Sequence, residues 1–216
     1  MIFLHPDQRA ATRRTYTGPA RIRGSVGTGK TVVALHWAAE RARRSAADGH
    51  GLSVLFTTFV KTLPPVFENL YNRMPDCVPG AVEFINIDSL AFRICADAGD
   101  RRWVDTTKVA EASKEAFKQV VRAGTPLGDD GIDRSYLEAE VRAVIKGRGI
   151  RSLEEYLEIQ RTGRGTRFDG SRRRQAWAYM EEWNAGMAQH GTADFADTIT
   201  RAVEHAQSRS DASYRA

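Results

Sequence analysis

Gly24-Ser25-Val26-Gly27-Thr28-Gly29-Lys30-Thr31 follows a short apolar-basic run, opens an amphipathic helical stretch, and satisfies G-x-x-x-x-G-K-[ST] in full. Its glycines let the backbone turn so that successive N–H groups converge. The N-terminus of the following helix adds unpaired donors and the positive end of its dipole. A polyphosphate is the anion that suits such a nest. In this reading the backbone of residues 24–31 cradles the phosphates and Lys30 reaches the β- and γ-phosphates as a point charge. The Thr31 hydroxyl completes the coordination of a Mg²⁺ that keeps most of its waters. The bland alternative is an ordinary glycine-rich strand-to-helix turn.

Outward from the loop, Asp7 to Tyr16 reads as a short helix capped by Asp7, and Ala20 to Arg23 as a strand feeding the loop. Lys30 to Arg44 carries Val32, Val33, Leu35, Ala38 and Ala39 at helical spacing. Leu52 to Thr58 is a nearly continuous apolar run of strand length, so residues 20–58 form a βαβ unit. Leu63 to Met74 is helical, with Pro64 and Pro65 in its first turn. Ala81 to Asp88 is a third strand, followed at once by a helix from Ser89 to Ala96. Alternating strands and helices predict an α/β domain with a parallel sheet. Beyond residue 98, the stretches 105–122, 134–147, 152–160 and 171–190 are all helical in period, and Asp194 to Gln207 is a last helix. The expected organisation is a core of residues 1–98 and 191–216 interrupted by a helical insert, 99–190. The final residues, from Ser208 on, show no clear pattern.

Of the 216 residues, 42% are hydrophobic and 27% charged, an ordinary globular composition with length for one large or two small cores. No run of eighteen apolar residues and no signal-peptide pattern is present, so a cytoplasmic location is expected. Cys77 and Cys95 have no metal-ligand spacing and read as reduced, structural residues. The net charge is +5, and 26 of the 32 basic residues are arginine, which favours polyanions such as nucleic acid as much as a plainly solvated surface. Six arginines fall between Arg161 and Arg174. That stretch reads as a solvated Gly- and Arg-rich loop, with Arg172, Arg173 and Arg174 as candidate contacts to a nucleic-acid backbone.

The order of these motifs resembles the N-terminal part of the UvrD-like helicases of superfamily I. LHPDQRAA looks like the family's glutamine motif, in which Gln8 would read the adenine edge, although a solvated first-turn glutamine is the simpler reading. Thr57-Thr58-Phe59-Val60-Lys61 is similar to the motif that touches single-stranded DNA: Phe59 would stack on a base, unless it is core, and Thr58 and Lys61 would hold phosphates. Ile87-Asp88-Ser89-Leu90-Ala91-Phe92-Arg93 resembles the next DNA-contacting motif and assigns a contact to Ser89. It departs from the family at Asp88, where histidine is usual. Ala193-Asp194-Phe195-Ala196-Asp197-Thr198-Ile199 looks like the acidic motif with which the family's chain returns to its core domain.

The resemblance implies a RecA-like P-loop NTPase sheet with a helical insert, ATP and Mg²⁺ as cofactors, and single-stranded or partly duplex DNA as partner. The family's Asp-Glu hydrolytic pair lies on a strand after the return motif, and its second RecA-like domain supplies an arginine to the γ-phosphate. Neither is found in these 216 residues. Asp88 is a weak internal rival for the Mg²⁺ role, since its strand is interrupted by Glu83 and Asn86. The expectation is therefore the ATP-binding part of a DNA helicase that binds ATP without turning it over alone. The alternative is a naturally short, non-catalytic nucleotide- or nucleic-acid-binding module, and a P-loop kinase is a weaker third reading.

Overall fold

A computed structural model describes residues 4–49, 54–162 and 165–208. Leu52 and Ser53 of the expected second strand, Arg164 of the arginine-rich stretch and residues 209–216 lie outside the described residues. The described chain divides into two compact units, one reaching Leu90 and one running from Ala91 to Ser208.

The first unit begins with α1 (Pro6–Arg13), whose first position is taken by Pro6, a residue with no N–H to leave unpaired there. Asp7 sits inside the first turn and His5 at the cap, two residues before the expected cap. The long helix α2 (Lys30–Ala47) buries Val33, Leu35, Ala38, Ala39 and Ala42, the face its 3.6-residue period defines. Arg44 ties the two helices together: it donates to Glu40 Oε1 at 2.8 Å, to the Arg13 carbonyl at 2.9 Å and to Thr15 Oγ1 at 3.1 Å. Tyr16 meets Trp37 edge to face at 5.7 Å.

Strands β1 (Val54–Thr58) and β2 (Val82–Asn86) pair in parallel, Phe56 opposite Phe84 and Thr58 opposite Asn86. Between them runs α3 (Pro64–Asn72), which turns Phe67 onto Phe56, ring centroids 5.6 Å apart, and Tyr71 onto Phe84 at 5.4 Å. Leu35 and Ala39 of α2 share that core with Tyr71, Met74, Ala81 and Val82.

The expected RecA-like parallel sheet is not what forms. Among the described residues the sheet has two strands, and the chain is predominantly helical. Residues 20–23 are exposed and irregular, not the strand expected to lead into the glycine loop. The physical reason is legible in retrospect. Alternating Ala20-Arg21-Ile22-Arg23 cannot be buried on both faces, Pro19 removes a ladder donor, and no described strand offers it a partner edge. β1 is likewise only half-buried, with Thr57 exposed, because helices cover one side of a two-stranded sheet and not both. The strand expected to run to Asp88 stops at Asn86, where α4 (Ile87–Asp97) begins without a loop.

The second unit is helical. α5 (Thr106–Val120) lies against α9 (Gly170–Gln189), with Gly186 set so close to Ala112 that a Cβ there would come within 3.1 Å of the alanine methyl. Around this pair are α6 (Pro126–Asp129), α7 (Arg134–Glu140), a π turn (Val141–Ile145) running into a 3₁₀ turn (Lys146–Arg148), α8 (Leu153–Glu158) and α10 (Phe195–Ser208). Side-chain N-caps start several of them: Asp105 on α5, Asp133 on α7, Ser152 on α8 and Asp169 on α9. Trp183 is wholly buried and donates its indole N–H to the Val109 carbonyl at 3.0 Å. Among the described residues, no helix is long and apolar enough to cross a membrane.

Three arginines of the arginine-rich stretch, Arg161, Arg172 and Arg173, are structural rather than solvated, while Arg167 and Arg174 are exposed as expected. Arg161 forms a buried ion pair with Glu140, its Nε 2.6 Å and its Nη2 2.8 Å from the two carboxylate oxygens. Arg173 donates to the carbonyls of Tyr156, Leu157 and Ile159 at 2.7, 2.8 and 3.0 Å, satisfying the orphaned C-terminus of α8. Arg172 bridges Asp130 and Asp169.

Candidate functional site

The loop of residues 24–31 turns through left-handed glycines, Gly27 at φ 81° and Gly29 at φ 78°, conformations that any side chain would strain. Gly24 has a second reason to lack a side chain: an added Cβ would come 2.6 Å from Thr28 Oγ1, the hydroxyl that donates to the Ser25 carbonyl at 2.8 Å. Lys30, the first residue of α2, folds back and donates to the Gly24 and Ser25 carbonyls at 3.0 and 2.7 Å. The ammonium is thus held over the mouth of the loop. Val26 and its neighbours are exposed, and the first turn of α2 carries no acidic residue to oppose an anion. Thr31 is exposed on that same turn.

Gln8 reaches the loop but is not an idle amide. Its Nε2 donates to the Thr28 carbonyl at 3.0 Å, and its Oε1 accepts from the His5 N–H at 3.0 Å. It anchors the loop to α1, so reading an adenine edge would require it to exchange partners.

A second cluster sits at the carboxyl ends of β1 and β2, where parallel sheets place their ligands. The buried side chain of Asn86 organises it. Its Nδ2 donates to the carbonyls of Thr58 at 3.1 Å and Phe59 at 2.9 Å, while its Oδ1 accepts from the N–H groups of Asp88 at 3.1 Å and Ser89 at 3.2 Å. One amide side chain therefore fixes the turn after β1 and caps α4. Thr58 Oγ1 accepts from the Val60 N–H at 3.2 Å, which spends part of its capacity on the turn. Phe59 is 87% exposed and packs in no core, and Lys61 is exposed beside it. Asp88, the rival metal ligand, lies in the first turn of α4 and not at a strand end.

Sequence reasoning missed Asn86, treating it as a flaw in a strand. The available signal was an asparagine two and three residues before backbone N–H groups that open a helix, the ordinary N-cap pattern. Asn86→Ala leaves two carbonyls and two N–H groups without their partner, and is expected to lower stability by about 2–3 kcal/mol. Denaturant unfolding of the two proteins measures it.

The return motif of the second unit is built for structure. Lys146, almost fully buried, is held by Asp194 at 2.9 Å, Asp197 at 2.7 Å and Asn184 Oδ1 at 2.9 Å. Asp194 also accepts from the Asp197 N–H at 2.8 Å at the start of α10. Burial pushes the Asp197 carboxyl above its ordinary range, an effect the Lys146 ammonium opposes. Cys95, Asp100 and His205 also gather, with ligand atoms within 4.8 Å of one another. The Asp100 carboxylate is already shared by Arg102 and Arg201, which hold it well below the usual carboxylate range, and burial raises the Cys95 thiol. Two guanidinium groups on one carboxylate oppose a cation there. Of the three arginines expected at a nucleic-acid backbone, Arg172 and Arg173 are engaged within the unit, and Arg174 is exposed.

Comparison with known protein families and with curated proteins finds no match to this chain.

Proposed function

We propose that the chain binds Mg-ATP at residues 24–31 and single-stranded DNA at Thr58, Phe59, Lys61 and Ser89, as the nucleotide-binding part of an ATP-dependent DNA helicase of the UvrD-like kind. The observation that carries the nucleotide reading is Lys30 poised over a loop that turns through the left-handed glycines Gly27 and Gly29, at the mouth of an α2 N-terminus free of acidic residues. When phosphate enters, Lys30 exchanges two neutral carbonyls for charged oxygens, a gain of the charge-assisted kind. The N–H groups of the loop and of the first turn of α2 supply the remaining donors. Thr31 is the side chain that would hold Mg²⁺, whose chemistry is to neutralise the phosphates and orient them.

The DNA reading is supported by a bare aromatic ring and a lysine at the carboxyl ends of two parallel strands, on a turn made rigid by Asn86. Phe59→Ala should weaken binding of single-stranded DNA by about 1–3 kcal/mol and leave the salt dependence nearly unchanged, because a stacking face is lost and no charge. Folding stability should hardly move, the ring being exposed. Anisotropy of a labelled oligonucleotide over a salt series tests this. Unchanged affinity would remove Phe59 from the site.

A further inference from the structure

In the second unit, the segment Asp100-Arg101-Arg102-Trp103 has no role in either site above. Trp103 is 74% exposed, yet its backbone is fixed. Its carbonyl accepts from Thr192 Oγ1 at 2.7 Å and from the Ala193 N–H at 3.2 Å in an isolated parallel bridge to Thr192. Of the two other tryptophans of the unit, Trp183 is wholly buried and Trp177 packs half-buried against the same core, so the unit has the means to bury an indole and leaves this one out. A rigidly mounted, solvent-facing indole is a stacking surface that costs little entropy to use.

Its neighbours determine what it would stack on. Asp100 takes Arg102 through Nε at 3.0 Å and Nη2 at 2.8 Å, and Arg201 through Nη1 at 2.9 and 2.7 Å. Arg101 is exposed and makes no hydrogen bond or ion pair among the described residues. Arg102 and Arg201 are thus neutralised in part by Asp100, with Asp197 also acting on Arg102 and Asp105 two residues beyond the ring, so the cation left unengaged beside Trp103 among these arginines is Arg101. Phe195, also exposed, follows three residues after the bridge partner Thr192. An exposed guanidinium with no partner among the described residues, beside a bare indole, matches the phosphodiester and the base of a single strand. We infer that Trp103, with Arg101, forms a second contact for single-stranded nucleic acid on the helical unit, the indole stacking on a base and the Arg101 guanidinium holding a flanking phosphate. This extends the nucleic-acid reading above, but its evidence is separate.

The test is anisotropy of labelled oligothymidylate and oligouridylate with the whole chain and four variants. Trp103→Ala should weaken binding about tenfold, and Trp103→Phe, which keeps a stacking face, by no more than about threefold. Arg101→Ala should make the slope of log affinity against log salt shallower by about 0.7, one phosphate's share on a single strand. A loss on both oligomers assigns a contact blind to the sugar, and a loss on one assigns that sugar; either supports the inference. Unchanged affinity of Trp103→Ala on both, or equal losses for the alanine and phenylalanine variants, overturns it. If Phe59→Ala weakens binding while Trp103→Ala does not, the strand-end site stands and this one falls. If the unsubstituted chain binds neither oligomer, both fall.

Discussion

Glu140→Ala is expected to destabilise the helical unit by about 3–5 kcal/mol, enough to unfold a marginally stable domain of this size. The Glu140 side chain is fully buried, and its carboxylate accepts from Arg161 Nε and Nη2 and from the Tyr156 hydroxyl at 2.8 Å. Removing it strands a guanidinium that is itself almost completely buried and leaves a buried phenol without its acceptor. In the parent that phenol is held neutral, burial first and the Glu140 carboxylate second pushing its pKa far above the ordinary value, so it donates to the carboxylate. Arg161 also carries the Thr166 carbonyl at 2.9 Å and lies over the Phe168 ring at 4.2 Å, so the segment between α8 and α9 loses its anchor with the ion pair. Glu140→Gln keeps an acceptor for Tyr156 and should cost less. Thermal or denaturant unfolding that shows the alanine variant within about 1 kcal/mol of the parent would mean the pair is solvated and the core reading wrong.

Lys30→Ala is expected to weaken Mg-ATP binding roughly 10- to 150-fold, the equivalent of a charge-assisted contact worth about 1.5–3 kcal/mol. The bound phosphates lose their point charge, and the bonds from Lys30 to the Gly24 and Ser25 carbonyls, made in the free loop and given up on binding, offset only part of that loss because their acceptors are neutral. Stability should change little, because the lysine sits half-exposed at the first position of α2, where alanine is also a good helix former. Calorimetric titration decides it. A folded variant that binds as tightly as the parent would place the nucleotide elsewhere or nowhere.

The sequence was most legible where backbone conformation dictates residue type. Gly27 and Gly29 take the left-handed conformations that their spacing before Lys30 implies, and α2 starts where the pattern places it. The helices of the second unit were readable from their period for the same reason: Tyr179, Met180, Trp183 and Met187 share the buried face of α9. What failed depended on partners that local sequence does not specify. Ala20 to Arg23 has strand-like residues but no ladder, so it stays irregular and the expected sheet shrinks to two strands. Charge was misread in the same way. Six arginines among three glycines look like a solvated loop, yet Arg161 finds Glu140 21 positions away and Arg172 finds Asp130 42 away. Periodicity cannot reveal such pairings, because they are fixed by tertiary packing. Asn86 was hidden by the opposite error, a polar residue judged by the strand it ends instead of the helix it caps.

The most direct measurement of the central claim is the amide spectrum of isotopically labelled protein as Mg-ATP is added. Binding at the loop should shift the N–H signals of Gly24, Gly27, Gly29, Lys30 and Thr31 most, with a smaller response at Gln8 through its bond to the Thr28 carbonyl. The same addition to Lys30→Ala should produce those shifts only at much higher nucleotide concentration. A spectrum in which residues 24–31 stay unmoved at saturating nucleotide, or in which the largest shifts fall in the second unit, would contradict the assignment of this loop as the nucleotide site.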